Sequence, residues 1–132
     1  MPRFAIVLVG LSLAACKPAV PPPLDPDADA IARQFFEEVR TGADLETDPH
    51  LAHELKNPTT EAQIAAFRAE IPVEPPKSVV VQHSDVQVDS TGATTRITEI
   101  YQYADRTLTV RTALFKSPAG QQPVIVGFDI TD

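Results

Sequence analysis

The sequence predicts an α+β domain in which N-terminal helices pack on a four-stranded antiparallel sheet. Two observations predict this class. Between residues 26 and 71, apolar residues recur every three or four positions, which is the spacing of one helix face. From residue 78 onward, apolar and polar residues alternate in four runs rich in Val, Ile and Thr, separated by turn residues. Helices followed by consecutive strands favour an arrangement with the helices on one face of the sheet.

The first helix is predicted to begin after Asp25, whose side chain can cap free amide groups, with Pro26 at the first helical position. Gly42 can end this helix in the left-handed conformation. One wide apolar stripe lies between these ends and is predicted to face the core: Ala28, Ile31, Ala32, Phe35, Phe36 and Val39.

Two shorter helices are predicted to follow. One begins at Asp48 and Pro49, and the other begins near Thr60, with Gln63 in the capping-box position. Pro72 ends the latter because it cannot continue a helix. The residues predicted to face inward on these helices are Leu51, Leu55, Ile64, Phe67 and Ile71.

Four strands are predicted, at residues 78–88, 93–103, 106–116 and 123–130. The turns between them are Ser90-Thr91-Gly92, Ala104-Asp105 and Ser117-Pro118-Ala119-Gly120. Leu114 and Val126 are predicted to be cross-strand neighbours on the core face. This pairing requires an odd-length turn, with Gly120 at positive φ.

The first residues have the pattern of a secretory signal. Arg3 supplies a positive charge, and residues 4–13 form an apolar run that is too short to span a bilayer. Leu13-Ala14-Ala15-Cys16 follows, and it resembles the lipobox of bacterial lipoproteins. The resemblance implies cleavage after Ala15 and lipidation of Cys16, with attachment to the membrane through N-terminal acyl chains. The alternative is an ordinary cleaved signal.

We therefore divide the chain into a signal peptide at 1–15, a lipidated cysteine with a proline-rich tether at 16–25, and one α+β domain at 26–132. The tether favours polyproline II, and would hold the domain up to roughly 30 Å from the lipid. Lys17 follows the cysteine, where inner-membrane lipoproteins of enteric bacteria carry Asp. The resemblance thus points to the outer membrane, with the domain facing the periplasm.

Charge and cysteine content exclude some classes of function. The formal net charge is −7, and the basic residues are scattered along the chain. This argues against a nucleic-acid partner and against adhesion of the domain surface to anionic lipids. Cys16 is the only cysteine, so no intrachain disulfide competes with lipidation. We predict no cofactor.

The order of elements over about residues 25–132 resembles the nuclear transport factor 2-like superfamily, which includes SnoaL-type domains. The residues that carry the resemblance are 31–36 on the first helix, Gly42-Ala43-Asp44 after it, and 127–130 in the last strand. The resemblance implies helices in the hollow of a strongly curved, cone-like sheet. Many members have Gly-Asp without the intervening Ala43 and carry a Trp in the last strand, which this chain lacks. A cystatin-like domain is the alternative fold.

Two histidine groups could carry chemistry. His50, His53 and Glu54 lie within one helical turn, but their order does not match a known zinc motif, so we interpret them as an exposed polar face and predict no metal site. His83 and Asp85 lie two apart on a strand, where an Asp can orient a histidine base. An exposed sheet face is the preferred interpretation there too.

Glu99 is the most informative polar residue of the sequence. If Ala104-Asp105 forms a two-residue turn, the cross-strand pairs are Tyr101 with Leu108, Glu99 with Val110, and Ile97 with Thr112. Glu99 would then lie on the apolar face, where burial raises a carboxyl pKa. The predicted pocket residues are Glu99, Tyr101, Ile97, Leu108, Val110 and Phe35. A register slip of one residue would turn Glu99 to solvent.

The leading functional hypothesis is a lipid-anchored, non-enzymatic domain of the cell envelope that binds a small ligand or an envelope protein. A hydratase- or isomerase-like enzyme is the first alternative, with Glu99 or Asp85 as base and Tyr101 or Tyr103 as proton donor. No superfamily motif transfers a catalytic residue to this chain. A pilot or assembly lipoprotein, which places a partner at the membrane, is the second alternative.

Overall fold

The structure is a computed structural model that describes residues 25–119 and 122–132. Two helices, α1 (Pro26–Thr41) and α2 (Pro58–Glu70), precede four strands. The strands are β1 (Ser78–Asp89), β2 (Gly92–Gln102), β3 (Thr107–Lys116) and β4 (Val124–Thr131). They form an open antiparallel sheet of order β1-β2-β3-β4, with the helices packed on one face, which confirms the α+β class. The lipobox residues Leu13, Ala14, Ala15 and Cys16, and also Gly120, lie outside the described residues.

Helix α1 has the predicted ends and the predicted buried face. Asp25 Oδ1 accepts a hydrogen bond from the Asp27 amide at 2.9 Å, and Gly42 ends the helix with φ of 76°. The whole predicted apolar stripe is buried. Two of its aromatic rings pack into the core, where Phe36 stacks on Tyr101 with ring centroids 4.0 Å apart.

The predicted helix at Asp48-Pro49 is wrong. The chain instead makes one short 3₁₀ turn at His53–Leu55, and residues before it pair with the edge of β4. The Ile125 amide donates to the His50 carbonyl at 2.6 Å, and the Ala52 amide donates to the Ile125 carbonyl at 2.9 Å. These non-local bonds satisfy backbone groups that a helix would have paired internally.

Helix α2 begins two residues earlier than predicted. Asn57, rather than Thr60, is the cap, and its Oδ1 accepts from the Thr60 amide at 2.9 Å. The helix ends at Glu70, just before the predicted stop at Pro72. Its fully buried residue is Ile64, while Phe67 is half-buried and packs against the core.

The β2–β3 register is confirmed. Glu99 pairs with Val110, and the Tyr103 amide donates to the Arg106 carbonyl at 2.8 Å, which closes the predicted two-residue turn. Strand β1 pairs with β2 and has one bulge between Val81 and His83.

The predicted pairing of Leu114 with Val126 is wrong. Leu114 pairs with Ile125, and Ala113 pairs with Gly127, so Val126 is an extra residue in a β-bulge. Leu114 is 1% exposed and Val126 is 39% exposed, because the bulge moves Val126 to the opposite face. No helix of the described ranges is long and apolar enough to cross a membrane.

Candidate functional site

Glu99 lies on the helix-covered face of β2 and is 1% exposed. Arg33 Nε of α1 is 3.1 Å from Glu99 Oε2. The single hydrogen on that nitrogen is donated instead to Asp29 Oδ1, at 3.2 Å. Neither Glu99 oxygen accepts a hydrogen bond from the described part of the chain. We call Asp29, Arg33 and Glu99 the Arg33 triad.

The environment of the triad shifts the titration of Glu99. Burial, and next the negative charge of Asp29, raise the pKa of Glu99 to about 7, while the charge of Arg33 acts in the opposite direction. The Arg33 side chain is 42% exposed, so water weakens its attraction for the buried carboxylate. Both protonation states of Glu99 are therefore populated near neutral pH.

The other residues of the predicted pocket surround Glu99 as core. Ile97, Tyr101, Leu108, Val110 and Phe35 are all buried, and burial raises the pKa of Tyr101. Phe35 also lines an apolar crevice on the helix side of β4, and Ile97 lines a groove on the opposite face of the sheet. The other predicted pocket residues line neither of these clefts. Their role as a ligand pocket stays a prediction.

The opposite face of the sheet carries a groove of about 260 Å³. One row of paired residues crosses the sheet there, in the order Asp85, Arg96, Ala113, Gly127. The last two residues have little or no side chain, so the groove lies over them. We call this depression the open-face groove. Its remaining lining residues are Ile97, Thr98, Arg111, Thr112, Phe128 and Asp129.

Two arginines at this groove make long, exposed contacts with acidic residues on the neighbouring strands. Arg96 Nη1 is 3.5 Å from Asp85 Oδ2, and Arg111 Nη1 is 3.3 Å from Asp129 Oδ2. All four side chains are about half exposed, and such pairs contribute at most about 1 kcal/mol each. These four side chains can therefore exchange their present contacts for contacts with a partner at a small cost in free energy.

A second cleft lies on the helix side of β4. This apolar crevice has a volume of about 170 Å³ and is framed by three rings, with Phe128 in edge-to-face contact with Phe35 at 5.0 Å and with Phe67 at 5.8 Å. Gly127 and Phe128 line both the crevice and the open-face groove. The two clefts thus meet at the same edge of the sheet.

Sequence reasoning missed the open-face groove because it sought a pocket on the core face of the sheet only. The predicted pairing of Leu114 with Val126 already places Gly127 opposite Ala113, and the structure has that pair. The signal that could have found the groove is the pair of small residues itself. Ala113 follows Arg111 on the polar face of β3, where a small apolar residue leaves open space. A glycine inside a strand, such as Gly127, weakens the strand and often marks a bulge or a site where another group approaches the backbone closely.

A carboxyl pair between α1 and the following loop was also missed. Asp48 is 5% exposed; its Oδ1 accepts from the His50 amide at 2.8 Å, and its Oδ2 meets no donor among the described residues. Burial, followed by contact with the Asp48 carboxyl, raises the pKa of Glu38 to about 7, while the Gln34 amide opposes the shift. A proton between the two carboxyls would supply the missing donor.

The predicted exposure of the two histidine groups is confirmed except at His50. His53 and Glu54 are exposed, and His50 is half-buried. His83 Nε2 is 3.7 Å from Asp85 Oδ1, with both side chains exposed on the face of the sheet that carries the groove. Residues 25–119 and 122–132 contain no group of three or more His, Cys, Asp or Glu side chains that could hold a metal ion.

The two faces of the sheet offer different chemistry. The Arg33 triad can hold or release a proton near neutral pH beneath α1. The open-face groove can hold an apolar group between charges of both signs. No protein-family model, no curated protein and no solved structure shows a significant match to this chain.

Proposed function

We propose that this protein is a lipid-anchored binding protein of the cell envelope, which holds a partner protein on the open face of its sheet. The observation that carries the proposal is the open-face groove, where Ala113 and Gly127 leave an apolar floor between Arg96 and Arg111. An apolar centre with a polar rim is the usual anatomy of a protein interface.

The dimensions of this surface favour a protein over a small ligand. Four strands spaced about 4.8 Å apart, each about ten residues long at about 3.3 Å per residue, give a face of roughly 600 Å². This approaches the roughly 800 Å² that one partner contributes to a standard interface. The groove alone, at about 260 Å³, falls below the usual size of a drug-sized ligand pocket.

The charges at the groove favour the same class of partner. Asp85 and Asp129 balance Arg96 and Arg111, so the rim carries both signs. A small anion would have to displace the aspartates, whereas a protein surface can present acidic and basic groups together. We therefore expect a partner that places an apolar side chain over Ala113, with charged side chains around it.

The groove can be tested by site-specific photo-crosslinking of the full-length protein in cells. A photoreactive benzoylphenylalanine at Thr98, which lines the groove, is expected to give one discrete adduct with an envelope protein. The same residue at Ala66, on the exposed side of α2, is the control and should not give it.

A filling variant separates the groove from the rest of the face. Ala113→Leu should abolish the adduct, because the larger side chain occupies the floor. Thr109→Leu lies on the same face of β3 but outside the groove lining, and should leave the adduct intact. Equal adducts from Thr98 and Ala66, or an adduct that survives Ala113→Leu, would contradict the proposal.

The anchor is a separate part of the proposal and has its own test. Leu13-Ala14-Ala15-Cys16 supports it, with Lys17 favouring the outer membrane. Labelled palmitate is expected to enter the wild-type protein and not Cys16→Ser. Equal labelling of both proteins would eliminate the lipoprotein assignment without affecting the groove.

We also propose that the domain is a short relative of the nuclear transport factor 2-like cone. The order of two helices followed by a four-stranded antiparallel meander supports this, as does α1 packing over β2 and β3. A cystatin-like domain is the alternative. An experimental structure that superposes on one of these two folds and not on the other would decide between them.

A proton-transfer enzyme is the second candidate function, and the observation that favours it is a buried carboxyl with a pKa of about 7. A general base needs its pKa near the working pH. Glu99 would need α1 or Arg33 to move before a substrate could reach it. Turnover of a hydration or isomerisation substrate that is abolished by Glu99→Gln would establish this function.

A further inference from the structure

In the Arg33 triad, one N–H of the guanidinium lies between two carboxyl acceptors. Arg33 Nε carries a single hydrogen and lies 3.2 Å from Asp29 Oδ1 and 3.1 Å from Glu99 Oε2. Only the Asp29 contact has hydrogen-bond geometry. Since the distances are nearly equal, a small rotation of the guanidinium would exchange one acceptor for the other.

The surroundings of Glu99 leave Arg33 as its cationic neighbour. From α1, the charged groups that face it are Asp29 and Arg33, and on its own strand the Tyr101 hydroxyl lies near enough to interact with its charge. Its cross-strand partners are apolar, namely Val81 on β1 and Val110 on β3. Among these neighbours, only the Arg33 guanidinium can donate a charge-assisted hydrogen bond to an ionised Glu99.

A buried carboxylate without a hydrogen-bond donor is costly, whereas a protonated carboxyl is much less so. The observed arrangement, with Arg33 bonded to Asp29 and Glu99 without a donor, fits the protonated form of Glu99. When Glu99 loses its proton, the balance changes, because the more deeply buried carboxylate gains more from the guanidinium than Asp29 does.

We propose that Arg33 exchanges its hydrogen bonds between Asp29 and Glu99 as Glu99 loses or gains a proton. With Glu99 protonated, the arginine is paired within α1. With Glu99 ionised, it joins α1 to β2. The exchange occurs in the first half of α1, directly after the segment that the sequence predicts as a membrane tether. The contact between this part of the helix and the sheet therefore depends on pH.

The exchange can be observed in the full-length protein by NMR, with isotope labels on arginine and glutamate side chains. Between about pH 5 and about pH 9, the Glu99 carboxyl carbon and the Arg33 Nε–H are expected to shift with one common midpoint near neutral pH. A Glu99 midpoint in the ordinary range of glutamates would overturn the proposal. So would an Arg33 signal that does not move while Glu99 titrates.

Two matched variants separate the triad from general surface charge. Asp29→Asn is expected to lower the Glu99 midpoint by about one pH unit, because it removes a nearby negative charge and frees Arg33. Asp27→Asn removes an equal charge from the same helix end but not from the triad, and should leave the midpoint in place. Equal shifts in both variants would refute the exchange.

A third variant tests whether the titration of Glu99 causes the pH-dependent shift of the Arg33 signal. In Glu99→Gln, the Arg33 signal should no longer shift near neutral pH. A shift that persists would assign the titration to another group. If this variant fails to fold, the wild-type titration and the two aspartate variants still decide the question.

Discussion

The two faces of the sheet carry arginine–carboxylate contacts of similar length but different consequence. Arg33 lies 3.1 Å from Glu99 beneath α1, and Arg111 lies 3.3 Å from Asp129 on the open face. Glu99 is almost completely buried, whereas Asp129 is half exposed. Desolvation, rather than distance, therefore separates the two contacts. The buried contact of Arg33 with Glu99 affects protonation and stability, whereas the exposed contact of Arg111 with Asp129 can be replaced by contacts with a partner.

The largest expected difference between the faces is in apolar packing. Phe35→Ala should lower the free energy of unfolding by about 3 kcal/mol, because Phe35 is buried in the core against Phe128. Phe115→Ala, on the half-exposed open face, should cost about 1 kcal/mol. Denaturant unfolding of both variants measures the contrast. A loss below about 0.5 kcal/mol for Phe35→Ala would mean that α1 does not close the core.

The second effect is the pH dependence of stability. The pKa of folded Glu99, about 7, lies above the ordinary value of 4.5, so the folded state binds this proton more strongly than the unfolded state does. Its contribution is fully present below about pH 4.5 and is lost as the pH rises through about 7. The loss should be about 2 kcal/mol, reduced because the triad reaches solvent at Arg33.

Glu99→Gln isolates this contribution from other carboxyls. The variant should show a flatter decline in unfolding free energy over the same pH range, measured by chemical denaturation at a series of pH values. A wild-type profile that rises between about pH 4.5 and about pH 7, or a variant with an unchanged slope, would show that Glu99 is not protonated in the folded protein.

A third, smaller effect is expected where α1 meets the loop after it. Glu38→Gln replaces one of two facing carboxyls with an amide, which can donate to the unsatisfied Asp48 Oδ2. We expect a gain of about 1 kcal/mol in unfolding free energy above about pH 7, where Glu38 of the wild type loses its proton. Glu37→Gln, on the exposed side of α1, is the control; it loses only the exposed pair with Arg40 and should not stabilise the protein. Thermal melts of the two variants at about pH 8 make the comparison, and equal melting temperatures would exclude the carboxyl contact.

Local patterns predicted the parts of this molecule that local forces determine. The α1 stripe follows from helical spacing between two caps, and the burial of Glu99 follows from a two-residue turn that sets the β2–β3 register. The register at the start of β4 depends on a bulge at Val126, for which the neighbouring Gly127 is a weak local signal. The loop at Asp48 depends on pairing with Ile125, more than seventy residues away along the chain. The contact between Arg33 and Glu99 depends on how α1 lies across the sheet, which no spacing within either element determines.

The smallest effect on stability is expected at the open-face groove. Arg111→Ala should change the unfolding free energy by less than about 0.5 kcal/mol, because its pair with Asp129 is long and half exposed. Arg33→Ala removes a contact of similar length, but it leaves Glu99 buried without a cation, so its cost should be larger and should grow as the pH rises above about 7. Denaturant unfolding at about pH 5 and about pH 8 distinguishes the two variants.

If Arg111→Ala leaves stability unchanged but removes the Thr98 crosslink, the open-face charges serve binding rather than folding. If the two arginine variants lose equal stability at both pH values, burial is not what separates the two faces.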